Sequence, residues 1–330
     1  MAKLAVSVPA AGVELHELPA FLHEAVEWGY TGAWAGEAAG PDFPSVLGGI
    51  ATAGPPIDLG VAIAPVQTRS PWLIAMTAAS LSHLSQGRFS LGLGPSSELI
   101  VERWSGIAFE RPLKRTRETV EVVRAFLDGE KVEHEGEFFS TRSHRLFAPP
   151  PAPVPIVVGA LNPASLRQAG EIGDGVALNQ LAPWNVPAVL EEVRTGAERA
   201  GKRLDDLEVV ARLFCLVTDD VPAAREIVRR TFTPYAATKG YNRFFAYLGF
   251  EEEMAALWEA FARRDREAAQ AAFTDELIDT MTILGDEDAV ARGVRAHLDN
   301  GVTTAAIATI TADRASTART LQAAARALEG

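Results

Sequence analysis

One cysteine, Cys215, in a chain of 330 residues excludes an intramolecular disulfide. It lies in the apolar run Val209–Val217 and reads as a buried core thiol. Basic residues are scarce, 31 Lys and Arg against 43 Asp and Glu, for a formal charge of −12. That balance argues against a nucleic-acid partner, which needs a basic face. No apolar run approaches the roughly 18–20 residues of a membrane span. The opening segment MAKLAVSVPAAG is too short and too broken in its apolar stretch for a signal peptide, so the cytoplasm is the expected compartment. Histidine is sparse as well, at six residues. No His-x-His, Cys/His cluster or carboxylate grouping has metal-ligand spacing. There is no repeat of fixed period and no low-complexity tract.

The sequence does hold a large apolar content, 48%, and a regular alternation of strand-like and helix-like segments. Strands are expected at Leu4–Val8, Gly32–Gly36, Asp58–Ala64, Arg88–Gly94, Ile156–Ala160, Gly175–Asn179, Leu207–Val217 and Val302–Ile310. Helical periodicity follows each of them. Leu18, Phe21, Leu22, Ala25 and Val26, for example, share one helix face. Lys131–Phe147, centred on Glu135-Gly136-Glu137, reads as a hairpin, and Pro149–Pro155 as an extended proline-rich connector. Several helices are expected between Pro222 and Asn300. Eight strand–helix units point to a closed parallel (β/α)8 TIM barrel rather than an open sheet. The expected organisation is a single domain over residues 1–330. It carries a hairpin insertion at 131–154, before strand five, and a helical insertion at about 231–280, before strand eight.

In such barrels the chemistry sits at the C-terminal strand ends. Here those ends read Gly36-Glu37, Ala62-Ile63-Ala64-Pro65, Gly94-Pro95-Ser96-Ser97-Glu98, Gly159-Ala160-Leu161-Asn162 and Asn179-Gln180. Small residues and backbone amides dominate them, and no histidine is among them. A site of this kind suits a flat, phosphate-bearing cofactor that brings its own chemistry. Gly92 and Gly94 lack Cβ atoms and would let a ring approach the backbone. Asn162-Pro163 opens a helix, and the sequence leaves two readings there: an anion site on the helix N-terminus, or a well-made cap alone. The basic run Glu110–Arg117 reads as a solvated helix face or a landing patch for an anion. His83 reads as a structural hydrogen-bond donor.

Four segments together resemble the luciferase-like monooxygenase superfamily: Leu81–Ser97 (LSHLSQGRFSLGLGPSS), Val101–Gly106 (VERWSG), Phe109–Glu118 (FERPLKRTRE) and Ala169–Gly175 (AGEIGDG). The branch most similar is the one that uses the deazaflavin coenzyme F420. The resemblance is collinear from about Leu4 to Gly201, and Gly285–Gly301 also fits. It implies a homodimeric barrel with the deazaflavin at its mouth, backed by a bulge with a non-proline cis peptide at Ala62-Ile63. The implied cofactor contacts are Ala62, Ile63, Pro95, Ser96, Gly159, Ala160, Leu161 and Asn162. The implied reaction is hydride transfer between C5 of the deazaflavin and a small organic substrate, with Glu37 and Glu98 as acid/base candidates. Two departures stand out. Ser105 replaces the histidine of a Trp-His-Gly common among relatives. Asn179–Trp184 lacks the basic residues of sugar-phosphate-oxidising members. The alternatives are an FMN-dependent monooxygenase that needs a reductase partner, and a non-catalytic flavin- or deazaflavin-binding protein.

Overall fold

The computed structural model describes residues 2–329. The chain runs β1 (Lys3–Val8), α1 (Leu18–Glu27), β2 (Gly32–Ala35), α2 (Phe43–Ala53), β3 (Asp58–Pro65), α3 (Pro71–Leu84), β4 (Phe89–Gly94) and α4 (Pro112–Leu127). The hairpin β5 (Val132–Glu135) and β6 (Ser140–His144) follows, then β7 (Ile156–Gly159), α5 (Pro163–Ile172), β8 (Gly175–Asn179), α6 (Val186–Arg199) and β9 (Glu208–Val217). Next come α7 (Val221–Ala236), α8 (Lys239–Tyr247), α9 (Glu251–Ala262), α10 (Arg266–Ala271), α11 (Asp275–Met281), β10 (Thr282–Gly285), α12 (Glu287–Asp299), β11 (Thr304–Thr309) and α13 (Arg314–Ala325). Starts are set by local chemistry. Ser70 Oγ accepts from Leu73 N–H at the head of α3, and Pro71 follows as the first helical residue.

Strands β1, β2, β3, β4, β7, β8, β9 and β11 pair in parallel in that order, and β11 returns to β1. This is the closed (β/α)8 barrel expected from the alternation. One element departs from the expectation of helices alone between Pro222 and Asn300. Thr282–Gly285 forms β10 and pairs with Phe214–Val217 of β9. The physical reason is the length of β9: its pairing with β8 ends at Arg212, so its last residues need another strand to satisfy their backbone groups. A run of four residues, Thr-Ile-Leu-Gly, is too short to show a period of two.

Two apolar layers result. Alternate residues of the strands face the helices and join one large core. The inner face holds a small cluster of Ala5, Trp34, Val157, Ala177, Val210 and Ala306, with Ala62 and Ile63 against it. Trp34 is the one large side chain in it. A Cβ built on Gly60, its partner on β3, would stand 2.5 Å from the indole. Gly60→Ala should therefore lower the free energy of unfolding by about 1–3 kcal/mol. Trp34→Leu in the same chain should return part of it in a urea double-mutant cycle; additive losses would show that the two residues do not compete for space.

The hairpin is tied to α4 by Glu118, 6% exposed. Its carboxylate accepts from the backbone N–H groups of Glu137, Phe138 and Phe139 and bonds His134 Nε2 at 3.2 Å. Burial opposes its charge, but the Phe139 and Phe138 amides and His134 outweigh that and hold the carboxyl below its ordinary range. A depressed carboxyl stabilises the fold fully above its unfolded pKa and loses that contribution as pH falls through the folded value. Amide protection factors in residues 132–144 should fall in the wild type as the pH drops below the ordinary carboxylate range, and should already be low at neutral pH in Glu118→Ala. Equal protection in both proteins at neutral pH would contradict this anchoring.

Candidate active site

The mouth of the barrel is built by counting outward from the inner cluster. Ala177 and Val210 face inward. Two residues further along β8 and β9 the same face carries Asn179 and Arg212, which pair in register. Across the barrel, β3 is irregular. Its register with β4 shifts between Val61 and Ala64, and the Ala62-Ile63 peptide is cis, as the resemblance implied. Ile63 leans over its neighbours: a Cβ on Gly159 would lie 2.8 Å from Ile63 Cγ2, and one on Gly94 3.4 Å from Cγ1. Gly92 serves the same bulge, because its Cβ would meet the Val61 carbonyl oxygen at 1.9 Å. The glycines of strand four thus first make room for the chain's own bulge, a role not foreseen from their spacing.

The expected cofactor residues fall on one contiguous arc, because β3, β4 and β7 are neighbours. Ala62 and Ile63 form the platform, with Gly159 and Ala160 at the end of β7 and Pro95 and Ser96 just beyond β4. Ser96 N–H donates to Gln67 Oε1 at 3.3 Å, and Gln67 Nε2 is buried without a partner among the described residues. Leu161 and Asn162 head α5. The Leu161 and Asn162 N–H groups donate to Ser165 Oγ, and Asn162 Oδ1 accepts from Ser165 N–H at 3.1 Å. Asn162 therefore makes a complete capping box, and its side chain is engaged on the helix.

The two carboxylates expected as acid/base candidates are both engaged. Glu37 receives two hydrogen bonds from Arg69, Nε to Oε2 at 2.8 Å and Nη2 to Oε1 at 2.5 Å. The Arg69 guanidinium also lies over the Phe43 ring, and its bond to Glu37 raises its pKa. Glu98 bonds Lys239, the first residue of α8, at 3.0 Å, with its side chain 33% exposed.

The opposite arc holds what sequence reasoning missed. Arg212 is largely buried, with an opening to solvent, and burial lowers its pKa. Its guanidinium stacks over Phe214 at 4.7 Å. It forms no ion pair among the described residues, and its Nε lacks a partner. Tyr241 of α8 closes over it: Asn179 Nδ2 donates to Tyr241 Oη at 2.8 Å, and burial raises the tyrosine pKa. Tyr235 meets Tyr241 edge-on at 6.0 Å, and Phe232 meets Phe214 at 4.9 Å. Asn179 Oδ1 and Gln180 Oε1 are unpartnered too. The missing basic group near Asn179–Trp184 thus comes from the adjacent strand. The available signal was one charge in the otherwise apolar Val209–Val217; Tyr241, in the uninformative insertion, gave none.

Cys215, His83 and the basic run have simple places. Cys215 is fully buried, and burial raises its thiol pKa. His83 Nε2 lies 2.9 Å from the Pro149 carbonyl. In the basic run, Arg111 and Lys114 pair with Glu137 and so join α4 to the hairpin, and Arg117 pairs with Glu171 of α5. Among the described residues no cluster of three or more His, Cys, Asp or Glu could hold a metal ion, and no helix is long and apolar enough to cross a membrane.

Comparison with known proteins places this geometry. The luciferase-like monooxygenase family model matches residues 2–304. A 5,10-methylenetetrahydromethanopterin reductase of Archaeoglobus fulgidus is 32% identical over 252 residues, 75% of each chain. The structure of the coenzyme F420-dependent tetrahydromethanopterin reductase of Methanopyrus kandleri superposes with a TM-score of 0.79 at 23% identity, covering 98% of this chain and 97% of that one. The oxygenating constituent of a diketocamphane monooxygenase of Pseudomonas putida, in complex with FMN, has the same fold, with a TM-score of 0.69 at 17% identity over 99% and 98% of the chains.

The two carboxylates differ in their anchoring, and stability should show it. Glu37→Ala leaves a half-buried guanidinium unpaired and should cost about 1.5–3 kcal/mol. Glu98→Ala, at an exposed pair, should cost less than about 1 kcal/mol. Equal losses in urea titrations would show that Arg69 does not depend on Glu37.

Proposed function

The chain belongs to the luciferase-like monooxygenase family, and from that we propose that it is a coenzyme F420-dependent oxidoreductase acting on a small organic substrate. The observation that carries this reading is the β3 platform: Ile63 stands out over Gly94 and Gly159, on a wall without Cβ atoms. A planar ring fits against such a surface. The orphaned Gln67 Nε2 beside Ser96 suits the polar edge of that ring. The N-terminus of α5 offers a phosphate tail the positive end of its dipole, with the Leu161, Asn162 and Ser165 N–H groups already engaged in the cap.

When bound, the coenzyme would supply or take up a hydride at C5. The protein's share is then positioning, exclusion of water and one proton. Ala62, Ile63, Pro95, Ser96, Gly159, Ala160, Leu161 and Asn162 would seat the coenzyme. Glu37, held at both oxygens by Arg69, is a positioning group. Glu98, held only at Oε1, keeps its second oxygen for a proton.

Titration of the purified protein with oxidised F420, followed by fluorescence quenching, should give 1:1 binding at micromolar coenzyme. Gly159→Val, which pushes on Ile63, should weaken binding at least tenfold with unchanged circular dichroism. Binding of FMN in place of F420 would overturn the reading in favour of a flavin monooxygenase. Tight F420 binding without turnover across alcohols, enones and imines would leave a coenzyme-binding protein instead of an enzyme.

A further inference from the structure

We propose that Arg212, Tyr241 and Asn179 form the subsite for the carboxylate of the substrate, and that the substrates of this protein are small organic acids. The proposal rests on the oxidoreductase reading for the word substrate; the subsite itself does not depend on it.

The argument starts from an unpaired charge. A largely buried guanidinium is costly unless its charge and its N–H groups are met. Some shielded arginines meet that requirement with a carboxylate, as Arg69 does with Glu37 and Arg229 with Asp275. Arg212 has an aromatic face from Phe214 and no carboxylate among the described residues. Arg88, just before β4, and Arg115 of α4 also leave Nε unbonded; what sets Arg212 apart is its place at the mouth, in register with Asn179 and beside the unpartnered Asn179 Oδ1 and Gln180 Oε1.

Its surroundings specify the missing partner further. Tyr241 Oη accepts from Asn179, so its own proton is free to be donated elsewhere. Asn179 spends its Nδ2 on that bond and leaves Oδ1 as an unused acceptor. The open functions are therefore a forked cation, one hydroxyl donor and one amide acceptor. A carboxylate satisfies the first two, bidentate on the guanidinium. A hydroxyl or amine next to that carboxylate would donate to Asn179 Oδ1. Arg212 and Asn179 lie on β9 and β8, across the mouth from the Ile63 platform. An acid held there would extend towards a ring seated on that platform. A phosphate would want more than the one cation present.

The same anionic group could also come from the coenzyme, and the experiment separates the sources. Sodium lactate, sodium pyruvate, lactamide and inorganic phosphate are titrated into the wild type and into Arg212→Gln, Arg212→Lys and Tyr241→Phe, by saturation-transfer NMR. F420 affinity is measured in parallel. At least one of the two acids should bind the wild type at millimolar concentration or below, with lactamide and phosphate at least tenfold weaker. Arg212→Gln should lose at least tenfold in acid affinity and Tyr241→Phe about threefold, with F420 affinity within twofold of wild type. If Arg212→Gln does not fold, Arg212→Lys decides, with a fivefold loss expected because a point charge cannot make the fork. Equal acid binding in all variants, tighter binding of phosphate, or a loss confined to F420 would each overturn the proposal. Arg212-dependent acid binding in a protein that fails to bind F420 would keep the subsite and remove the cofactor reading.

Discussion

The rest of this molecule depends on how little room there is inside the barrel. One indole, Trp34, occupies the inner face among alanines and valines, and Gly60 cannot carry a Cβ beside it. Trp34 thus plugs the barrel between the pocket at its N-terminal strand ends, which Ala5, Gly32 and Trp34 help to line, and the mouth above. The β3 bulge is possible only because the adjoining positions are glycine. Gly92 yields to the Val61 carbonyl, and Gly159 to the Ile63 side chain. Volume, more than polar chemistry, has selected the residues on that side.

The two halves of the mouth are accordingly unlike. The β3–β4–β7 arc is small, apolar and nearly free of charge. The β8–β9 arc carries a guanidinium, a carboxamide and a phenol whose hydrogen-bonding capacity is only partly used. A smooth wall suits a ring recognised by shape, and an arc of unpaired polar groups suits a ligand recognised by charge and direction. The division matches what a two-ligand site needs, with one partner seated flat and the other aimed at it.

Much of the fold was legible because strand–helix alternation is a local signal repeated eight times, and each unit corrects the next. Strands such as Asp58–Pro65 and helices such as Pro163–Ile172 carry their own start and stop residues. β10 was not legible, since its existence follows from β9 outrunning β8, a fact of register that no window of four residues contains. The site divides in the same way. Ala62, Ile63 and Gly159 sit at strand ends, where barrel topology directs attention. Arg212 lies within a strand and matters because no acid reaches it. Absence of a partner is a property of three dimensions, as is the arrival of Tyr241 from an insertion whose sequence shows no motif. The pairing of Glu98 was hidden for the same reason, because Lys239 is 141 residues away in the chain.

That pairing also helps to show how the helical insertion is held. α8 is held over the mouth at two points on different arcs, Lys239 to Glu98 beyond β4 and Tyr241 to Asn179 on β8. The first is an exposed ion pair worth little by itself. The second is a partly buried hydrogen bond next to an uncompensated cation. An anion arriving at Arg212 would draw on the Tyr241 proton and on the guanidinium together, so it would strengthen the roof as it binds. The aromatic series Phe232, Tyr235, Tyr241 and Phe245 packs ring on ring beside that cation, where a charge is screened less than in open water.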